Sequence, residues 1–155
     1  MADNTESVVS TPLWPHGDSS LMHIVRRAGQ KSTATWTSTV TTGLSAVQYA
    51  ILVVLAEEET CDQQTLGSRA GFDKASGSYL IDRMTHSGLV ESNPDPDNRR
   101  RKLVSLTAAG RDMLDRMVDE ARQAEAVLAS RLEPDDVAEL KRLLRKMTGL
   151  QEPHD

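Results

Sequence analysis

The chain has 155 residues, a length that suits one compact domain or a small domain with helical extensions and is too short for a typical two-domain enzyme. Hydrophobic residues make up 38% and aromatic residues 3%, which favours helices built on Leu, Ala, Val and Met over a β-sandwich. The formal net charge is −5, which on its face argues against a nucleic-acid partner, because phosphate repels an acidic protein.

The ends of the chain and its cysteine content indicate the compartment. Segments 1–18 and 151–155 show no hydrophobic periodicity and are predicted to be loose tails. The longest apolar run, Tyr49 to Ala56, has eight residues, less than half of what a membrane span needs. No secretory signal is visible, and Cys61 is the only cysteine. We therefore expect a cytoplasmic protein with no membrane contact and no disulfide within one chain.

The first two helices are predicted from periodicity and capping. Apolar residues recur every three or four positions from Ser19, so the segment 19–43 is predicted to be a helix that Gly43 ends. Ser45 and Gln48 form a capping-box pattern, which predicts a second, apolar helix running to about Glu57.

The middle of the chain has the pattern of a helix-turn-helix. Asp62 is placed to cap a short helix over 63–70, and Asp73 is placed to cap another over 74–87. Glycine follows each predicted helix, as expected for a helix end. Two capped helices a few residues apart indicate a helix-turn-helix.

A hairpin with a basic tip and two further helices complete the predicted order. Short runs at 89–93 and 102–106 are predicted strands, and the turn-rich segment PDPDNRRR lies between them. A long amphipathic helix begins near Thr107, and Pro134 fits the first turn of a last helix.

This order and three motifs resemble the MarR family of winged helix-turn-helix transcription regulators. The motifs are DNRRRKLVSLTAAG from Asp97 to Gly110, LSAVQYAIL from Leu44 to Leu52, and the stretch from Asp73 to Val90 that ends in GLV. The resemblance implies a mainly helical fold with a small β-hairpin wing. It also implies a DNA-binding region over 44–106, with the first helix, 19–43, and the helices of 107–150 forming the dimer.

The resemblance implies which side chains face DNA. Arg99 would enter the minor groove beside the recognition helix, and Asp97 would brace the wing through an ion pair. Other candidates for DNA contacts are Arg100, Lys74, Ser76, Ser78 and Tyr79. A solvated basic turn and simply exposed polar side chains are the alternative interpretations. The segment from Asp62 to Arg111 holds eight Lys and Arg against six Asp and Glu. The net negative charge of the chain therefore lies outside this part of the predicted DNA-binding region.

The sequence departs from the family in two places. Ala75, Gly77 and Tyr79 stand in the recognition helix where many members carry Ser or Thr, Val and Arg. The bases read in DNA are therefore expected to be unusual. The first helix has no cysteine, which makes thiol oxidation a less expected trigger.

A small-molecule site is predicted on the first helix. Arg26 lies on one helix face with Met22, Gly29 and Thr33, and an arginine can hold a carboxylate bidentately. The HIVRRA stretch also resembles the first helix of family members that sense aromatic acids. We expect Arg26 to anchor an aromatic carboxylate, with Arg27 as its substitute and His23 and Trp36 as walls. The alternative is an ordinary surface or dimer-interface arginine.

The sequence therefore predicts a homodimeric repressor that leaves a near-palindromic double-stranded operator when a small molecule binds. An enzyme is not expected, because no phosphate-binding, zinc-protease or nucleophile motif is present. No cofactor or metal is expected either, since the four histidines are scattered. The alternatives left open are a winged-helix module that binds protein, and a regulator that senses a xenobiotic or thiol oxidation.

Overall fold

The computed structural model describes residues 20–150, so the predicted tails, with His16 and His154, lie outside the described residues. Within that range six helices and three strands follow in chain order. They are α1 (Leu21–Thr39), α2 (Ala46–Glu58), β1 (Thr60–Asp62), α3 (Gln63–Ala70), α4 (Lys74–His86), β2 (Val90–Pro94), β3 (Lys102–Leu106), α5 (Ala108–Leu128) and α6 (Pro134–Thr148). The predicted fold class, mainly helical with a small hairpin, is confirmed.

Side-chain caps begin four of the helices, and three of these caps, Ser45, Asp62 and Asp73, were predicted. The Ser45 hydroxyl accepts a hydrogen bond from the Gln48 N–H, and the Gln48 side chain accepts one from the Ser45 N–H, which completes the capping box. Asp62, Asp73 and Thr107 each accept a hydrogen bond from the N–H three residues later. The helix-turn-helix and the long helix α5 therefore start at the predicted positions.

Helix α1 ends earlier than predicted. Its last residue is Thr39, and Val40 is extended and buried, well before Gly43. β-branched residues form helices poorly, so the burial of Val40 in the core outweighs the continuation of the helix. The Trp36 indole N–H donates a 2.8 Å hydrogen bond to the Leu44 carbonyl oxygen, which closes the link to α2.

The sheet has three antiparallel strands in the order β1, β3, β2. Strands β2 and β3 form the predicted hairpin, with Val90 opposite Leu106. Strand β1 was not predicted, because three residues are too few for an alternating pattern to be seen. It pairs Cys61 with Val104 and so ties the start of α3 to the wing, the name used here for β2, β3 and the turn between them.

The hydrophobic core lies between α2, the helix-turn-helix, the sheet and the first half of α5. Its largest fully buried side chains are Ile51, Leu52, Leu55, Leu66, Met84, Met117, Val90 and Val104. Burying each such side chain stabilises the fold by roughly 1.5–3 kcal/mol. Within residues 20–150, no helix is both long enough and apolar enough to cross a bilayer.

Gly110 lets α5 pack directly on the wing. A Cβ atom at this position would lie 2.0 Å from the carbonyl oxygen of Leu89, so any other residue would force the two backbones apart. The Thr107 hydroxyl donates a hydrogen bond of 3.1 Å to the same carbonyl oxygen. The T-x-x-G part of the motif therefore joins the long helix to the base of the wing.

The outer helices expose apolar side chains. Leu21 and Met22 of α1 are 66% and 75% exposed, and α6 has no buried residue. Further exposed large apolar side chains on or after α5 are Val127, Leu128, Leu132, Leu140, Leu143, Leu144, Met147 and Leu150. Apolar exposure on this scale is typical of a surface that associates with another protein surface.

Candidate nucleic-acid interface and effector cavity

A groove of about 710 Å³ opens between the starts of α3 and α4 and the wing. It brings Lys74 and Ser78 of α4 together with Arg100 of the wing, three of the predicted DNA-facing residues. Gln63 and Gln64 of α3 also line it, and the Gln63 amide donates a 3.1 Å hydrogen bond to the Ser78 hydroxyl. Basic and hydrogen-bonding groups in one groove are the kind that contact phosphates and base edges.

The glutamines were missed in the sequence, although a signal was present. They are the first two residues of α3, directly after the cap Asp62, and N–H groups at a helix start favour anions such as phosphate. Of the other predicted residues, Ser76 and Arg99 are exposed outside the groove lining, and Tyr79 is 62% exposed on α4.

Asp95 organises the turn of the wing. Its side chain is buried, and its carboxylate accepts a 2.9 Å hydrogen bond from the Asp97 N–H. Its own N–H donates to the Arg101 carbonyl oxygen at 2.9 Å, and its carbonyl oxygen accepts from the Asn98 N–H at 3.2 Å. The turn that carries Arg99 is therefore held by backbone hydrogen bonds around one buried carboxylate.

Arg101 joins the wing to the helix-turn-helix. Its Nη2 atom lies 3.0 Å from the Asp62 carboxylate, and its Nε atom lies 3.5 Å from that of Asp95. Asp62 also caps α3, and the hydrogen bond from the Thr65 N–H, more than the nearby Arg101 charge, lowers the pKa of Asp62. One carboxylate thus serves both the helix start and the wing.

The prediction that Asp97 braces the wing through an ion pair is wrong. In the part of the chain that the structure describes, Asp97 is exposed and its backbone N–H donates to the Asp95 carboxylate, while Arg101 pairs with Asp95 and Asp62. The reason is position: Asp95 directly follows β2 and points inward, whereas Asp97 lies at the tip of the turn.

The departure at Gly77 has a packing cause. A Cβ atom at Gly77 would lie 2.5 Å from Cε2 of the Phe72 ring, in the turn between α3 and α4. The ring also approaches Gly67 of α3, where a Cβ would lie 3.0 Å from Cε2 of the same ring. The two helices are therefore packed around one aromatic ring, and a valine at position 77 would not fit.

The departure at Tyr79 comes with a contact to Arg83. The guanidinium carbon of Arg83 lies 5.6 Å from the centre of the Tyr79 ring, and its Nη1 atom lies 3.5 Å from the Tyr79 hydroxyl. Arg83 and Tyr79 meet because residues four apart lie on the same face of a helix.

A second cavity, of about 580 Å³, lies between α1, the link to α2, and α4. Trp36 forms part of its wall, with its ring 5.4 Å from that of Tyr49. Leu80 and Arg83 of α4, the predicted recognition helix, also line it. The size suits a small organic ligand. Among residues 20–150, Arg83 is the only charged residue in this lining.

The other predicted effector residues lie outside that lining. Arg26 and Arg27 are exposed near the start of α1, and Arg26 Nη2 donates to His23 Nδ1 at 3.2 Å. Of the four residues predicted to bind the effector, Trp36 is therefore the one that the cavity includes. Residues of α1 form part of the lining of this cavity, and the contribution of α4 to it was missed in the sequence.

Cys61 is a poor candidate for a redox sensor. It is 5% exposed, and burial together with the Asp62 and Glu58 charges raises the pKa of its thiol, which keeps the less reactive protonated form. Across residues 20–150, no three His, Cys, Asp or Glu side chains are grouped so that they could hold a metal ion.

Comparison with known proteins decides the family. The MarR family model matches residues 42–101. The HTH-type transcriptional repressor NicR of Pseudomonas putida is 30% identical over 131 residues, which are 84% of this chain and 83% of NicR. The chain belongs to the MarR family. It is a transcriptional regulator of the MarR type, with a DNA-binding winged helix.

Two solved structures of MarR-type proteins share this fold over most of their length. BpsR of Bordetella bronchiseptica, whose DNA binding is regulated by 6-hydroxynicotinic acid, is 29% identical with a TM-score of 0.82, covering 87% of this chain and 97% of BpsR. PcaV of Streptomyces coelicolor, in complex with its natural ligand, is 28% identical with a TM-score of 0.80, covering 92% of this chain and 99% of PcaV. The MarR family and these relatives are transcription regulators rather than enzymes.

Proposed function

We propose that this MarR family regulator is a homodimeric repressor, acting in the cytoplasm, that a small aromatic carboxylate releases from a near-palindromic operator. The observation that carries the proposal is the cavity of about 580 Å³ that Trp36 of α1 and Leu80 and Arg83 of the recognition helix line together. A ligand held in this cavity touches α4, the helix that reads DNA. Binding of the ligand and affinity for DNA are therefore coupled.

The chemistry of the cavity supports an acidic aromatic ligand. Trp36 offers an aromatic wall, and the single charge in the described lining is the cation of Arg83. The relatives point the same way, because BpsR responds to 6-hydroxynicotinic acid. In this proposal Arg83 holds the carboxylate inside the cavity, and Arg26, with Arg27 as its substitute and His23 beside it, is the second candidate anchor, on the exposed start of α1 and outside the cavity lining.

DNA contacts are assigned to the wing and to the start of α4. Arg99 enters the minor groove, and Arg100 and Lys74 neutralise phosphates at the edge of the groove of about 710 Å³. Ser76, Ser78 and Tyr79 face the major groove, with Ser78 oriented by the amide of Gln63. Arg101 is excluded from this set, since it pairs with Asp62 and Asp95.

The exposed apolar faces support a dimer. One chain leaves α6 without a buried residue and leaves Leu21 and Met22 largely exposed, and a second copy would remove these side chains from water. The DNA-binding regions of two protomers held together can engage half-sites about 34 Å apart, which is the spacing of one DNA turn.

The experiment measures binding of the dimer to a DNA fragment from upstream of its own gene by fluorescence anisotropy, between 50 and about 300 mM salt. If each protomer neutralises about four phosphates, log affinity falls against log salt with a slope near −7. Arg99→Ala should weaken binding and flatten the slope by about 2 in a dimer. The matched control is Arg122→Ala on α5, where the arginine pairs with Asp119 and faces solvent.

Two results would contradict the DNA assignment. A flat salt titration would favour the module that binds protein. Equal losses of DNA affinity for Arg99→Ala and Arg122→Ala would remove the wing from the interface.

Two other results would contradict the proposed effector. Release of DNA by an uncharged xenobiotic but by no aromatic acid would replace the proposed effector class. Release by peroxide would reinstate a thiol sensor, which the burial of Cys61 disfavours.

A further inference from the structure

The recognition helix carries one side chain that faces both the cavity and the DNA side. Arg83 lines the cavity of about 580 Å³, and the same guanidinium contacts Tyr79, which lies one turn nearer the start of α4. Tyr79 is 62% exposed, in the part of the helix that the proposed function turns toward the major groove. Arg83 therefore connects the cavity with the DNA-facing part of α4.

The contact to Tyr79 is weak enough to be exchanged. Its distances, 5.6 Å from the guanidinium carbon to the ring centre and 3.5 Å from Nη1 to the hydroxyl, are near the outer limits for a cation–π contact and a hydrogen bond. Within residues 20–150, no carboxylate lies within ion-pair distance of Arg83, whereas Arg69 and Arg101 each have two. An anion in the cavity would meet no competing carboxylate.

We propose that Arg83 is a positioning residue: it holds Tyr79 in the orientation that reads DNA, and an anionic ligand in the cavity draws the guanidinium away and releases Tyr79. This inference rests on the proposed function, since it needs both a DNA-facing α4 and an acidic effector. A carboxylate forms shorter and stronger hydrogen bonds with a guanidinium than a phenol does, so the exchange favours the ligand. It assigns the unusual tyrosine of this recognition helix a role in both DNA reading and release.

The role of Arg83 is tested by a double-mutant cycle on operator binding without ligand. Arg83→Gln should weaken binding by about two- to five-fold per protomer, the range expected for an exposed cation–π contact. In the Tyr79→Ala background the same change should have no effect, because its target is gone. Both side chains are exposed, so the variants are expected to fold, and thermal unfolding verifies this. Additive losses would overturn the positioning role.

The release of Tyr79 by an anionic ligand is tested with 6-hydroxynicotinic acid as the probe, and with its uncharged amide. Calorimetry gives the affinity of the acid for the free protein, and anisotropy gives the concentration that releases DNA. In Tyr79→Ala the acid should bind as in the wild type, and in Arg83→Gln it should bind more weakly, whereas at saturating acid the factor by which it weakens DNA binding should fall at least five-fold in both variants. Arg122→Gln, which removes an exposed arginine of α5, should leave that factor unchanged.

The outcomes separate this inference from the proposed function. If the acid releases the wild type and both variants to the same extent, Arg83 and Tyr79 do not transmit binding, although the regulator is still ligand-responsive. If the acid neither binds nor releases the wild type, the effector class in the proposed function fails and this inference fails with it. Release by the amide as readily as by the acid overturns the role given to the anionic charge.

Discussion

Substitution of Asp62 should be the most informative perturbation of the winged helix. Its carboxylate caps α3 through the Thr65 N–H at 2.9 Å and also pairs with Arg101 of the wing at 3.0 Å. Asparagine preserves the cap and removes the charge, whereas alanine removes both. The pair of variants Asp62→Asn and Asp62→Ala therefore separates the helix start from the contact with the wing.

The expected magnitudes follow from the two contacts. Loss of an N-cap costs about 1 kcal/mol. The ion pair is worth about 0.5 kcal/mol, because the side chains of Arg101 and Asp62 are 51% and 21% exposed and solvent screens them. The free energy of unfolding should therefore fall by about 0.5 kcal/mol in Asp62→Asn and by about 1.5 kcal/mol in Asp62→Ala.

Urea unfolding at one protein concentration measures both differences. With a slope of about 2 kcal/mol per M, the midpoint should fall by about 0.25 M for Asp62→Asn and 0.75 M for Asp62→Ala. Hydrogen bonds from Thr65 lower the pKa of Asp62, so its charge stabilises the fold above the unfolded pKa of about 3.9 and this contribution is lost as pH falls through the folded value. The gap between wild type and Asp62→Asn should therefore close below about pH 4. Equal destabilisation by the two variants at pH 7 would refute the reasoning, since it would leave the cap without effect.

Three further predictions test other parts of the molecule. Gly110→Ala should lower Tm by about 3–10 °C, because its methyl group meets the Leu89 carbonyl oxygen, and an unchanged Tm in calorimetry would contradict that packing. Hydrogen bonds from Thr41 lower the pKa of Glu120, so the stability that wild type has over Glu120→Gln should be present at pH 7 and disappear as pH falls through the lowered pKa, a trend that chemical unfolding across pH would reveal or reject. Leu144→Glu places a charge on the apolar face of α6 and should produce monomers in sedimentation, whereas a persisting dimer would locate the interface elsewhere.

The sequence was most informative where local chemistry determines structure. Asp73 and Thr107 mark helix starts by accepting hydrogen bonds from their own helices, so their neighbours along the chain are sufficient to predict them. The hairpin at β2 and β3 was predicted for the same reason, because a turn-rich segment separates two short apolar runs.

Contacts between distant segments could not be predicted in this way. The brace of the wing pairs Arg101 with Asp62, which lies on β1 and at the start of α3, whereas the family resemblance implied Asp97 instead. The effector site is similar: the sequence pointed to residues of α1, but the contribution of Arg83 to the cavity lining depends on how α4 packs against α1 and α2. The contact of Arg83 with Tyr79 had a signal, since residues four apart share a helix face.

Thermodynamic linkage gives the most direct measurement of the central claim, that DNA and an aromatic acid bind this regulator in competition. Calorimetric titration of 6-hydroxynicotinic acid into the free dimer, and into the dimer saturated with operator DNA, yields two dissociation constants. The account predicts that DNA weakens binding of the acid by roughly 5- to 150-fold, and that the acid weakens binding of DNA by the same factor. Equal affinity of the acid for the free and the DNA-bound protein would contradict the account.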